Sequence, residues 1–271
     1  MAKMAFKTER KTRTPRKTAA TKVMEVDNTV VESTETDAEI VERLRERFEI
    51  LDTMTQMTID GVVKGMVVTG PPGVGKSFGV EAVLEKNSIF DKLAGNRLKF
   101  GVEKGAASAI GLYKLLYNYA DRGHVLVLDD CDSVLYDETS LNLLKAALDS
   151  SKKRRISWNT DSALLRREGI PDSFEFKGAV IFITNLKFDK VRDKIKDHLD
   201  AIMSRCHYLD LTMDTPREKI LRCRQIVADG MLNEYDFTKE QETEIVDFIS
   251  NNQHRMREVS LRMVTKVADL R

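Results

Sequence analysis

Apolar residues recur along this chain with different rhythms, and each rhythm predicts an element. Ile40, Leu44, Phe48 and Leu51 fall on one helical face amid charged residues, so an amphipathic helix is expected from about Asp37. Three runs, Met66 to Thr69, Val125 to Leu128 and Ala179 to Ile183, are continuously apolar and end in polar residues. Runs without alternation fit strands buried on both faces, as in a parallel sheet covered by helices. Weaker strands are read at Arg97 to Val102 and at Tyr208 to Leu211, with helical stretches between the five. After Leu211 the pattern is wholly helical. Thr215-Pro216-Arg217-Glu218 supplies a cap, a first-turn Pro and a reciprocal Glu, and Thr238 with Gln241 repeats the cap. Met256, Val259, Met263 and Val267 predict a third helix there. The expected fold is α/β, a three-layer sandwich around a parallel sheet over residues 37–212, followed by a small helical lid domain over residues 213–271.

A chain of 271 residues has room for such a pair, at about 100 to 200 residues per domain. Apolar residues at 42% and charged residues at 32% place it among ordinary water-soluble domains. No apolar run approaches the ~18 residues of a membrane span, and the N-terminus lacks the apolar stretch of a secretory signal. A cytoplasmic location is expected, a host's cytoplasm if the chain is viral, with no membrane partner. Cys131, Cys206 and Cys223 stand far apart without paired spacing and are read as reduced, and the four histidines show no metal-ligand spacing.

Charge alters the picture at one end. Eight Lys/Arg stand against Glu9 alone between Met1 and Lys22, so the net +1 conceals a mildly acidic remainder. From Glu25 to Glu39 the chain carries six acids and no base. Residues 1–36 are therefore expected to form a disordered, basic-then-acidic arm. It is either simply solvated or a DNA contact, since clustered cations displace the counterions condensed on a phosphate backbone.

The strand at Met66 runs into Gly70-Pro71-Pro72-Gly73-Val74-Gly75-Lys76-Ser77 and then into a helix, which is the full G-x-x-x-x-G-K-[ST] pattern in its proper context. Its glycines let backbone N–H groups line a concavity for phosphate oxygens, and the helix adds the positive end of its dipole. Lys76 should reach the β and γ phosphates of ATP and Ser77 should ligate Mg²⁺. Phe78, next in line, is counted with the nucleotide-binding residues. The strand Val125 to Leu128 delivers Asp129 and Asp130 at its C-terminal end, where parallel sheets bind ligands. Asp129 would hold the Mg²⁺, and Asp130 would orient and deprotonate a water unless it merely caps the following turn.

These residues carry a resemblance. Gly-Pro-Pro-Gly-Val-Gly-Lys-Ser is the form of phosphate loop typical of AAA+ ATPases, and Asp129-Asp130-Cys131-Asp132-Ser133 is similar to the Asp-Glu-Ala-Asp-Ser segment of clamp-loader subunits, with Asp130 in place of the usual Glu. Phe182-Ile183-Thr184-Asn185 resembles the superfamily's sensor 1, which implies that Asn185 holds the lytic water; a turn-forming Asn is the plain alternative. Ser204-Arg205-Cys206 resembles the clamp-loader motif whose Arg reaches a neighbour's ATP, so Arg205 takes that role by resemblance, against a surface ion pair. Met256-Arg257-Glu258-Val259 is similar to sensor 2, and Arg257 is chosen there over Arg255 and Arg262. The likeness runs from about Asp37 to the C-terminus and extends to helicase loaders and the short AAA+ ATPases of tailed phages.

What this implies is an ATP hydrolase acting as a homo-oligomer, a ring or partial ring, with an unidentified protein client. Its task would be a DNA replication or recombination step of the helicase- or clamp-loader kind; the rival is protein remodelling without nucleic acid. An insertion from Ser150 to Lys177 carries Lys152-Lys153-Arg154-Arg155 and the sole tryptophan, Trp158. Those letters fit a grip on DNA by phosphate contact and base stacking, or a basic helix end followed by a buried Trp, or a subunit contact.

Overall fold

In the computed structural model, which describes residues 35–186 and 193–271, helix α1 (Asp37–Ile59) starts where Thr36 caps it. The Thr36 side chain accepts the N–H of Glu39 and the Glu39 carboxylate accepts the N–H of Thr36, a reciprocal cap worth about 1 kcal/mol. Ile40, Leu44, Phe48 and Leu51 are buried on its inner face. Apart from Glu35 and Thr36, the expected arm over residues 1–36, with the DNA contact assigned to it, lies outside the described residues.

Five parallel strands form the central sheet: β1 (Gly65–Thr69), β2 (Phe100–Lys104), β3 (Val125–Asp129), β6 (Ala179–Thr184) and β7 (His207–Asp210). Their order across the sheet is β2-β3-β6-β1-β7. The three apolar runs are the three inner strands, buried at every position. The two weaker runs are the edges, where one side of each strand is unshielded and polar residues are tolerated; β2 starts three residues later than the sequence pattern suggests. Side chains alternate between two cores, as a strand's period of two requires. Val67, Leu126, Leu128, Val180 and Phe182 face a core built with α4 (Ala109–Asn118), α5 (Glu138–Ala147) and α7 (Asp193–Met203). Met66, Val68, Val127, Ile181 and Ile183 face one built with α1 and α2 (Lys76–Asn87). Each fully buried Leu or Ile stabilises the sandwich by about 1.5 to 3 kcal/mol.

The insertion folds as a two-stranded antiparallel hairpin, β4 (Arg155–Ser157) with β5 (Ser173–Glu175), around the short helix α6 (Ala163–Arg167). The C-terminal part is helical, with α8 (Pro216–Ala228), α9 (Lys239–Asn251) and α10 (Leu261–Ala268) around a third apolar cluster. Both expected caps form, Thr215 with Glu218 and Thr238 with Gln241. The third helix departs from the sequence pattern. Met256 and Val259 precede it, because Ser260 is extended and its hydroxyl accepts the N–H of Met263, which fixes the start at Leu261. Helix α1 ties this part to the sheet: Arg43 pairs with Glu218 at 2.8 Å, and Arg222 of α8 stacks over the Phe48 ring at 3.5 Å. No helix among the described residues is long and apolar enough to cross a membrane.

Candidate functional site

Thr69 ends β1 and the chain turns over Gly70 to Gly75 into α2. Gly75 occupies the position before the helix at φ 102, and Gly73 has φ 72, both in the left-handed region that favours glycine. A Cβ on Gly73 would also come within 2.7 Å of the Ser260 side chain. The loop and the start of α10 are thus in direct contact, and the Leu261 N–H donates to Gly73 O at 2.8 Å.

Lys76 is the loop's buried cation, 6% exposed. Its Nζ donates to Gly70 O at 2.8 Å, Pro71 O at 2.9 Å and Asn185 Oδ1 at 2.7 Å. Burial pulls its pKa down to about 8, opposed by the charges of Asp130 and Asp129, with Arg262 adding to the depression. Asn185, just past β6, bridges Lys76 to Asp130, since its Nδ2 donates to Asp130 Oδ1 at 2.9 Å. Parallel register explains the meeting. Asp129 pairs with Ile183 and Val68 with Ile183 from the other side, so the C-terminal ends of β1, β3 and β6 lie side by side.

Asp129 is 6% exposed, with Lys104 Nζ 3.6 Å from its Oδ2 and 2.8 Å from Glu81 of α2. Asp130 sits at φ 53, sparsely populated for a residue with a Cβ, and its N–H donates to Ile183 O at 3.0 Å. Asp132 accepts from Thr184 Oγ1 at 2.7 Å, and burial lifts its carboxyl above the usual range. Cys131 between them is buried, its thiol pushed up to about 11 by burial, and all three cysteines are free.

A cleft of about 630 Å³ joins these residues to the C-terminal helices, a size suited to a nucleotide. Its walls include Pro72, Gly73, Gly75, Lys76, Ser77, Phe78, Asp129, Asp130 and Asn185. Gly70 and Pro71 serve it through their carbonyls on Lys76, while Val74 packs into the core beneath. The Ser77 hydroxyl and the Asp129 carboxylate are hard oxygen donors on one wall, a donor set that suits Mg²⁺ shared with phosphate oxygens. Among the described residues no cluster of three His, Cys, Asp or Glu offers an all-protein metal cage.

The wall from the C-terminal helices carries Ile226, Asp229, Met231 and Asn233, which the sequence did not single out, and Arg262, which it offered only as an alternative to Arg257. Arg257, the expected arginine of this wall, is exposed and does not line the cleft; Arg262 does, its Cγ 3.7 Å from where a Gly73 Cβ would stand. The reason is the late start of α10, which puts Arg262 in the helix's first turn against the loop and leaves Arg257 in the preceding turn. Ser260 at capping distance from Met263 was the available signal.

Arg205 is exposed after α7, bonded to its own helix at Ala201 O, and does not line this cleft. The basic run divides. Lys152 and Lys153 are exposed, but Arg154 is 6% exposed, donating to Ala147 O at 2.8 Å and Gly178 O at 2.9 Å beneath the Phe176 ring. Arg154 anchors the hairpin and is withdrawn from any DNA surface. Arg155 bonds Ser173 across the hairpin, and Trp158 packs on Tyr113 with ring centroids 5.6 Å apart, which favours the buried-Trp reading over base stacking.

Over residues 66–205, just over half of the chain, the sequence matches the family model described as "ATPase family associated with various cellular activities (AAA)". It is 34% identical over 232 residues to an uncharacterized 36.7 kDa protein from the nrdC–mobD intergenic region of Enterobacteria phage T4, covering 84% of this chain and 69% of that protein. Similar solved structures include the Aeropyrum pernix Orc1 protein in complex with DNA, with a TM-score of 0.44, 12% identity, and 81% of this chain against 56% of that one. AMPPCP-bound DnaA from Aquifex aeolicus has a TM-score of 0.41 and 13% identity, with 83% of this chain against 57% of that one. The chain thus spans just over half the length of these two structures.

Proposed function

Because the chain belongs to the ATPase family associated with various cellular activities (AAA), we propose that it binds Mg·ATP between the Gly70–Ser77 loop and the C-terminal helices and hydrolyses it to ADP and phosphate. The observation that carries this reading is the chain of contacts Lys76–Asn185–Asp130 at one end of the cleft. It holds a phosphate-binding cation, a polar amide and a carboxylate together at the C-terminal ends of three adjacent strands. Backbone amides of the loop and Lys76 take the phosphates, and Ser77 and Asp129 hold Mg²⁺, which neutralises charge on the phosphate oxygens. Asn185 and Asp130 position the attacking water, and Asp130 takes its proton. Arg262, rather than Arg257, reaches the phosphates from the helical lid of residues 213–271.

Arg205 is exposed and does not line its own cleft, which suits a residue that acts on a neighbour's nucleotide, and the working form in this reading is a homo-oligomer. Arginine suits that role because it stays charged and planar. Mixing Arg205→Ala subunits with Asp130→Asn subunits tests the shared site. Each variant alone should be nearly inactive, and the mixture should regain turnover. Full activity of Arg205→Ala by itself would remove the finger from the mechanism.

The task driven by hydrolysis is a DNA replication or recombination step, supported by the exposed Lys152 and Lys153 beside the hairpin. Clustered lysines there can contact a phosphate backbone. Remodelling of a protein client is the rival, and it needs neither lysine.

A further inference from the structure

Asp130 and Asn185 leave neighbouring strands on two separate turns, yet their side chains meet at 2.9 Å. The Asp130 N–H to Ile183 O bond joins the two turns, and Asp130 sits at φ 53 in the left-handed region, which a residue with a Cβ visits only occasionally. A second connection runs underneath. Thr184 is fully buried, its Oγ1 donates to Asp132 Oδ1 at 2.7 Å, and the same oxygen accepts the N–H of Leu186 at 3.0 Å. One hydroxyl therefore fastens the turn after β3, which carries Asp130, to the exit of β6, which carries Asn185. A strand threonine needs no such arrangement for its own burial, because a lone bond to a backbone carbonyl would satisfy it.

We propose that Thr184 and Asp132 are positioning residues that hold Asp130 and Asn185 in mutual register for attack on the terminal phosphate. The inference rests on the proposed hydrolytic role of those two residues. Neither Thr184 nor Asp132 lines the cleft, so their effect reaches the nucleotide only through Asp130 and Asn185. Misplacing such a pair by about 1 Å costs up to about a hundredfold in rate while leaving the contacts of the loop with the phosphates untouched.

The test compares Thr184→Val, Thr184→Ser and Asp132→Ala by Mg·ATP affinity and by steady-state hydrolysis. Thr184→Val keeps the shape and removes both hydrogen bonds. Its ATP affinity should stay within about twofold while kcat falls about tenfold to a hundredfold with KM unchanged. Thr184→Ser, which restores the hydroxyl, should recover most of the loss, an outcome that mere weakening of the fold does not produce. Asp132→Ala reads the same contact from the other side and serves if Thr184→Val does not fold. Wild-type kcat in either variant would overturn the proposal and leave the hydrolytic reading standing. An unsubstituted chain that binds Mg·ATP without turning it over would overturn both, and that result is visible before any substitution is made.

Discussion

Arg262 owes its place in the cleft to one hydroxyl. Ser260 stops the chain from continuing as helix through Val259, so α10 starts against the phosphate loop and points its second residue at Gly73. Arg262→Ala should therefore lower kcat/KM for ATP about tenfold or more, the cost of one charged hydrogen bond, while Arg257→Ala stays within about twofold. The reverse pattern in steady-state kinetics would restore Arg257 to the site. At this scale legibility followed chemistry. The gathering of Gly70 to Ser77 with Asp129, Asp130 and Asn185 was legible because the loop pattern follows a strand directly and polar groups ending apolar inner strands meet at one edge of a parallel sheet. That Arg262 and not Arg257 lines the cleft was not legible, because Met256 and Val259 continue an apolar stripe that geometry interrupts at a cap.

The elements were readable wherever burial is two-sided or a cap is reciprocal, hence the inner strands and the starts of α1, α8 and α9. Edge strands shifted by up to three residues, since a half-covered strand has a weaker apolar signature. The insertion was the hardest, because four successive basic letters do not say which one turns inward. Arg154 does so since Ala147 O and Gly178 O, at the end of α5 and the start of β6, need donors there. Arg154→Ala leaves two buried carbonyls and a void, and it should cost about 2 to 4 kcal/mol in chemical denaturation. The double substitution Lys152→Ala, Lys153→Ala should leave stability within about 0.5 kcal/mol. It should also remove the stimulation of ATPase rate by single-stranded DNA at low salt that the DNA-directed reading requires. A rate indifferent to DNA in the unsubstituted protein would favour the protein-remodelling task.

For the molecule as a whole, a central parallel sheet ordered β2-β3-β6-β1-β7 gathers the C-terminal ends of its inner strands at one edge, and residues of the C-terminal helices line the cleft there. Apolar runs separated by helices implied a parallel sheet, but strand order depends on pairings distant in sequence that no local pattern encodes. The cleft's second wall was equally hidden, being assembled from α8, α10 and the turn between α8 and α9 only once the C-terminal helices pack. Everything assigned to this cleft presupposes a magnesium-bound triphosphate in the loop, which makes equilibrium ATP binding, with and without Mg²⁺, the most direct measurement. Affinity should depend on Mg²⁺ and fall by about ten- to a hundredfold in Lys76→Ala, the worth of a charge-assisted contact. Affinity that ignores Mg²⁺, or that survives loss of the Lys76 ammonium undiminished, would contradict the account.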